Sequence, residues 1–190
     1  MTTPQPLFPD LETDRLILRQ LTLADTDFVF HQFSDPQVCQ YLMDEPPVAT
    51  MEEAQGIINF FMNPEEKKRV RWGIVRKADQ RLIGTCGFHN WHQAYYRAEI
   101  GYDLAPDCWG QGIMGEALRV VIDHGFRRME LNRLDAYIYV DNPRSIGLAE
   151  KLGFKREGLL RDYFCLDGVF YDHYLYGLLR RDWESSANMK

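Results

Sequence analysis

No stretch of this chain approaches the roughly 18 consecutive apolar residues that a membrane-crossing helix needs, so no membrane partner is expected. Positive charge is scarce: 22 Lys and Arg face 28 Asp and Glu, and a net charge of −6 has the wrong sign for neutralising phosphates along a nucleic acid. No nucleic-acid partner is expected either. The four cysteines, Cys39, Cys86, Cys108 and Cys165, form no C-x-x-C pair, which removes a zinc site and a thioredoxin-like redox motif and fits reduced thiols in a cytoplasmic protein. The first ten residues hold no basic residue and no apolar core, so the expectation is a short proline-containing lead-in, not a secretory signal or transit peptide. Repeats, low-complexity stretches and linkers are missing too. What is present, 45% hydrophobic and 13% aromatic residues over 190 positions, suits one globular domain with a substantial core.

Hydrophobic periodicity divides the chain into two styles. Residues 14–21 read as a strand, followed by a helix start at Thr22-Leu23-Ala24-Asp25, a short helix from Ser34-Asp35-Pro36, and a third begun by Thr50 and Glu53 that runs through Phe61. Residues 70–75 and 82–88 then form an antiparallel hairpin around Ala78-Asp79-Gln80. Residues 97–104 alternate an apolar set, Ala98, Ile100, Tyr102 and Leu104, with a polar set, Arg97, Glu99, Gly101 and Asp103. After Pro106 a glycine-containing loop enters a helix with an apolar stripe from Leu118 to Met129, and a strand at 134–140 follows. Asn142-Pro143-Arg144-Ser145 starts another helix that Gly153 ends, and strands at about 154–165 and 169–179 meet at Asp167-Gly168.

Gly110, Gly112 and Gly115 spell G-x-G-x-x-G, but the surroundings argue against a dinucleotide fold. That fingerprint needs a βαβ unit with an acidic residue about 20 positions on, whereas here the next strand ends farther away, at Asp141, and a hairpin precedes the loop. No Lys-Ser or Lys-Thr follows, so a P-loop is excluded. What remains is a turn into a helix start, whose exposed N–H groups and helix dipole favour a pyrophosphate. Coenzyme A carries one. The alternative is a tight strand-to-helix turn without a ligand.

Ala98-Glu99-Ile100-Gly101-Tyr102, Trp109-Gly110-Gln111-Gly112-Ile113-Met114, Asn142-Pro143-Arg144-Ser145 and Glu150-Lys151-Leu152-Gly153-Phe154 together resemble the GNAT superfamily of acetyltransferases in residues, order and spacing. Thr13-Asp14-Arg15-Leu16-Ile17-Leu18-Arg19 and Asp172-His173-Tyr174-Leu175-Tyr176 look like the branch of ribosomal-protein N-terminal (alanine) acetyltransferases. The resemblance covers about residues 12–183 of a single N-acetyltransferase domain. It implies an α+β fold: a mixed, mostly antiparallel sheet flanked by helices, in which two neighbouring parallel strands, 97–104 and 134–140, splay apart around acetyl-CoA. Pro106 helps end pairing of the first strand, and a bulge there would free backbone groups. The cofactor-binding positions it implies are Tyr102, Leu104, Gly110, Gln111, Gly112, Ile113, Met114, Gly115, Asn142 and Lys151, with no metal. Trp109 and Met114 depart from many relatives, and Ala149 stands where many carry a tyrosine acid.

The implied reaction is direct attack of a primary amine on the thioester, and an α-amino group with a pKa near 8 must first lose a proton. Glu99, on the polar face, is the first candidate for the proton acceptor, directly or through water; the alternative is an exposed carboxylate beside Arg97. Ser145, by match to the Asn-x-x-Ser motif, is the candidate hydroxyl beside the sulfur, and helix capping is its alternative role. His89 and His92 do not make a ligand set in a strand, so no metal is expected. The acceptor is expected to be a protein or peptide N-terminus, with a small amine such as a polyamine as the alternative. A non-catalytic acyl-CoA sensor is the third reading. A homodimer is left open.

Overall fold

The computed structural model describes residues 7–42, 46–62, 64 and 69–187, so the proline-containing lead-in falls largely outside them, at residues 1–6. Eight strands form one sheet: β1 (Leu11–Glu12), β2 (Leu16–Gln20), β3 (Val70–Arg76), β4 (Arg81–His92), β5 (Arg97–Leu104), β6 (Arg133–Tyr139), β7 (Lys155–Leu166) and β8 (Val169–Leu179). Their order is β1-β2-β3-β4-β5-β6-β8-β7, and each neighbouring pair is antiparallel except β5 and β6. The expected mixed, mostly antiparallel sheet is therefore what forms.

The α-helices are α1 (Thr26–Ser34), α2 (Pro36–Cys39), α3 (Met51–Phe61), α4 (Ile113–Arg127), α5 (Pro143–Lys151) and α6 (Arg180–Ala187). Several starts follow from local chemistry. Asp35 accepts from the Gln37 N–H ahead of Pro36, Thr50 accepts from the Glu53 N–H, and Asn142 accepts from the Ser145 N–H ahead of Pro143.

One face of the sheet carries the main core. Trp72, Ile74, Phe88, Ala98, Ile100 and Leu134 pack there with Ile113, Ala117, Leu118, Val121, Ile122 and Phe126 of α4. Each fully buried side chain of this size contributes about 1.5–3 kcal/mol, so α4 is anchored firmly beside the loop that precedes it. The other face lies under α1 and α3, whose Val29, Ala54 and Ile58 form a second cluster with Leu21 and Val48.

On the polar face of β5, Asp103 is only 6% exposed, because Gln32 of α1 closes over it. One expectation needs correction: the freed backbone at the end of β5 does not come from a bulge near Pro106. The register shift between β4 and β5 lies between His89 and His92, at the opposite end, and β5 comes free through loss of its inner neighbour.

Candidate active site

Strands β5 and β6 pair at Arg97 with Arg133, Ala98 with Leu134 and Glu99 with Asp135, and then part. Beyond Glu99 each keeps its outer neighbour: β5 stays on β4 as far as Leu104, and β6 stays on β8 as far as Tyr139. The inner peptide groups of residues 100–104 and 136–139 face a gap, and buried backbone groups of that kind require water or a ligand. A cavity of about 1690 Å³ runs through the gap and is lined by the loop before α4, the start of α5, and residues of α1 and α3.

Gly110 and Gly112 both have positive φ, 75° and 73°, and Gly112 is the N-cap of α4. That left-handed backbone turns the chain so that the residues carrying the first N–H groups of α4, which have no intrahelical acceptor, line the cavity. Ile113 and Met114 bury their side chains in the core, so they offer only backbone, while Gly115 adds no side chain at all. Gln111 stands apart from its neighbours: it does not line the cavity, and its amide donates to the Asp107 carbonyl. Arg119, Arg144 and Lys151 line the same cavity, and Arg15 donates to the Gln111 carbonyl while pairing with Glu116. Arg119 stands one turn beyond Gly115, a spacing by which sequence could have found it.

Trp109 has a definite task. Its indole Nε1 donates to the Leu104 carbonyl at 2.8 Å, and the Arg144 guanidinium lies 4.4 Å above its ring. The end of β5 is thereby tied to the loop, and Leu104 and Tyr102 both line the cavity.

Glu99 stands at the last paired position, where the strands begin to separate. It is partly buried, and His89 Nε2 on β4 lies 3.3 Å from its Oε2. Burial opposes its charge, but hydrogen bonds from His89 and Asn90 and the nearby charge of Arg97 outweigh that, holding the carboxyl below the usual glutamate range. It is ionised, as a proton acceptor must be, and it is not merely an exposed partner of Arg97.

Ser145 and Asn142 also line the cavity, and Asn142 performs the capping, leaving the serine hydroxyl free of that duty. Ser145 Oγ meets instead the phenol of Tyr102 at 2.7 Å. Burial pushes that phenol up to about 12, so it keeps its proton in neutral solution. Ala149 is buried at 2% exposure and presents no acid. Lys151 is exposed at the cavity rim.

His89 and His92 flank the register shift of β4, and no group of three metal-ligating side chains occurs among the described residues. Asp172 accepts from the Asp162 N–H at the irregular part of β7. Cys86 is wholly buried and its thiol is pushed up to about 12, which removes it as a nucleophile. No described helix is long and apolar enough to cross a membrane.

Residues 15–155 match the family model described as the acetyltransferase (GNAT) domain. The uncharacterised N-acetyltransferase YoaA of Bacillus subtilis is 41% identical over 92% of this chain and 98% of its own. The [ribosomal protein uS5]-alanine N-acetyltransferase of Escherichia coli is 28% identical over 91% of this chain and 92% of its own. The spermidine N(1)-acetyltransferase of Vibrio cholerae is 25% identical over 83% of this chain and 89% of its own.

Proposed function

This chain belongs to the GNAT acetyltransferase family, and from that premise we propose that it moves an acetyl group from acetyl-CoA to the N-terminal amine of a protein or peptide, by direct attack in a ternary complex. The observation that carries the reading is the single cavity joining the glycine turn of α4 to Glu99 at the apex of the parted strands.

The residues fit the cosubstrate. Backbone N–H groups from Gly110 to Gly115 would hold the pyrophosphate, with Arg119, Arg144 and Lys151 supplying positive charge around it. The unpaired backbone of Tyr102 to Leu104, with Asn142 at the edge, would hold the pantetheine arm. Bound there, acetyl-CoA supplies an acyl group on sulfur, whose parent thiol has a pKa near 8.5 and so leaves readily.

The protein supplies the rest. The Glu99 carboxylate accepts a hydrogen bond from the acceptor ammonium or from a water beside it, lowering the cost of presenting a neutral amine. Its depressed pKa makes it a poor resting place for the proton, and the partly exposed His89 ring beside it offers the exit to solvent. Ser145 Oγ would donate a hydrogen bond toward the departing sulfur, held in place by the Tyr102 phenol behind it, and the thiolate would take its proton from solvent as it leaves. Neither role needs a strong acid.

Two relatives are named for an alanine of ribosomal protein uS5 and for spermidine. The small-amine reading is the second one. The unpaired state of all four cysteines supports a cytoplasmic setting. Release of free thiol from acetyl-CoA across a panel of peptides and amines tests the proposal. Tight binding of acetyl-CoA with no amine ever acetylated would instead support a non-catalytic sensor.

A further inference from the structure

Arg71 of β3 pairs with Gly87 of β4, which pairs in turn with Gly101 of β5. Two glycines in succession across the sheet leave a shallow trough on the face beneath α1 and α3. Side chains there would be resisted: a Cβ at Gly87 would stand 1.9 Å from the Val70 carbonyl oxygen, and one at Gly101 would stand 3.0 Å from His89 Cε1. The Arg71 side chain lies across this trough. Its Nε donates to Thr85 Oγ1 at 2.5 Å, and its Nη2 donates to Asp103 Oδ2 at 2.5 Å. Asp103 is held in turn by Gln32 at 2.9 Å and by the Thr85 hydroxyl.

This leaves Nη1. It has no hydrogen-bond partner among the described residues, and it lies 3.6 Å from where a Gly101 Cβ would be, on the side of His89. The Arg71 side chain is 13% exposed, and the residue lines the cavity. It is thus a rigid, mostly desolvated donor whose charge Asp103 already balances, a combination suited to a neutral carbonyl oxygen. Gly101 is two residues from Glu99 on one strand face, about 7 Å away. In an α-amino acyl group the nitrogen and carbonyl oxygen lie about 3 Å apart, so an amine beside Glu99 brings that oxygen within reach of Nη1.

Resting on the acetyl-transfer reading, we propose that Arg71 receives the carbonyl oxygen next to the acceptor amine, so that the acceptor is an α-amino acyl compound, a peptide N-terminus, and not a polyamine. A polyamine offers Nη1 nothing to accept its hydrogen. Among the described residues on this side, Asp103 is already paired with Arg71 and Glu53 accepts from the Ala49 N–H, so beyond Glu99 neither is free for a second ammonium of a polyamine. Phe33 and Phe61, with ring centres 5.7 and 5.5 Å from the guanidinium, flank the place where the first side chain of the peptide would lie.

The test compares trialanine amide, the same compound with its first carbonyl reduced to methylene, and spermidine. Turnover with acetyl-CoA is expressed per neutral amine, and binding in the presence of CoA is measured by calorimetry. The intact wild-type protein should prefer trialanine amide by about 100-fold in kcat/KM and should bind it more tightly than the reduced analogue. Arg71→Lys keeps the charge beside Asp103 but loses the fork, and should reduce the preference to a few-fold, chiefly through KM. Arg71→Met combined with Asp103→Asn, which leaves no unpaired charge, should do the same if the lysine variant folds poorly. Equal use of the reduced analogue or spermidine by wild type overturns the inference, as does a preference that survives in both variants. Should no amine be acetylated, the transferase reading falls, and the calorimetric comparison still decides the role of Arg71.

Discussion

The phenol of Tyr102 and the hydroxyl of Ser145 lie 2.7 Å apart, one carried by the free part of β5 and the other by the first turn of α5. Capping by Asn142 leaves the serine hydroxyl available, and Ala149 removes the tyrosine that the resemblance would place one turn along the same helix. Ser145→Ala should therefore lower kcat by about 10- to 100-fold, below the upper range for acid catalysis because a thiolate is already a good leaving group. Tyr102→Phe should cost about 10-fold or less, since it acts through the serine. Both should leave acetyl-CoA affinity within about 2-fold of wild type, as measured by calorimetry. A large loss of affinity in Ser145→Ala would show that the hydroxyl holds the cosubstrate instead.

Glu99→Gln should reduce turnover by about 100-fold near neutral pH and leave acetyl-CoA binding unchanged. The wild-type carboxyl is held below its ordinary value, so it stays ionised where the amine titrates, and the rise of kcat/KM with pH should follow the acceptor amine. Raising the pH supplies neutral amine without help and should partly restore the variant. Undiminished turnover across the pH range would assign Glu99 to structure alone.

The loop before α4 allows a sharper comparison. Aspartate tolerates positive φ better than most residues, so Gly112→Asp should fold while setting a carboxylate where the pyrophosphate is expected, weakening acetyl-CoA by at least about 100-fold. Trp109→Ala loses the bond to Leu104 and the stack on Arg144, and should weaken binding by about 10-fold or less. Gly112→Ala separates backbone strain, about 1–2 kcal/mol, from charge. Calorimetry on the three variants decides the order, and a larger loss in Trp109→Ala would displace the pyrophosphate from this loop.

A structural prediction concerns Asp25, which is 8% exposed and takes two bonds from Arg19, at 2.8 and 2.7 Å, and one from the Thr22 N–H. Burial raises its pKa, but these bonds and the Arg19 charge lower it further, leaving it below normal. A depressed folded pKa contributes stability above the unfolded value of about 3.9, and that contribution fades as pH falls through the folded value. Asp25→Asn should be less stable at pH 7 by about 1–3 kcal/mol, with the difference shrinking below pH 4 in chemical denaturation. A difference that stays constant down to pH 2 would contradict the sign.

Elements with a clean period or a cap are legible in the sequence: α3 from Thr50 and Glu53, β5 from its alternation, and α5 from Asn142 and Pro143. The glycine turn was legible for the same reason, since its chemistry is local. Alternation tells which residues share a face but not what covers it, so the closing of Gln32, 71 positions earlier, over Asp103 could not be read from the strand. The trough under Arg71 depends on the register that aligns Gly87 and Gly101, and no local spacing encodes register. The Tyr102 hydroxyl escaped notice likewise, because its partner is 43 residues away. Helix α6 is mostly polar, with Trp183 its main apolar contact, and left too weak a period to detect.

The parting of β5 from β6 makes the sheet a partition with a slot in it. The loop before α4 opens on one side of that partition, and Glu99, His89 and Arg71 look out on the other, beneath α1 and α3. A slender donor arm can thread the slot without unpairing any strand, because each bordering strand is already secured on its outer edge. Donor and recipient then approach from opposite sides. On the proposed reading, the bulky end of the carrier would stay clear of the doorway used by the amine, leaving that side open to the chain terminus of a much larger partner.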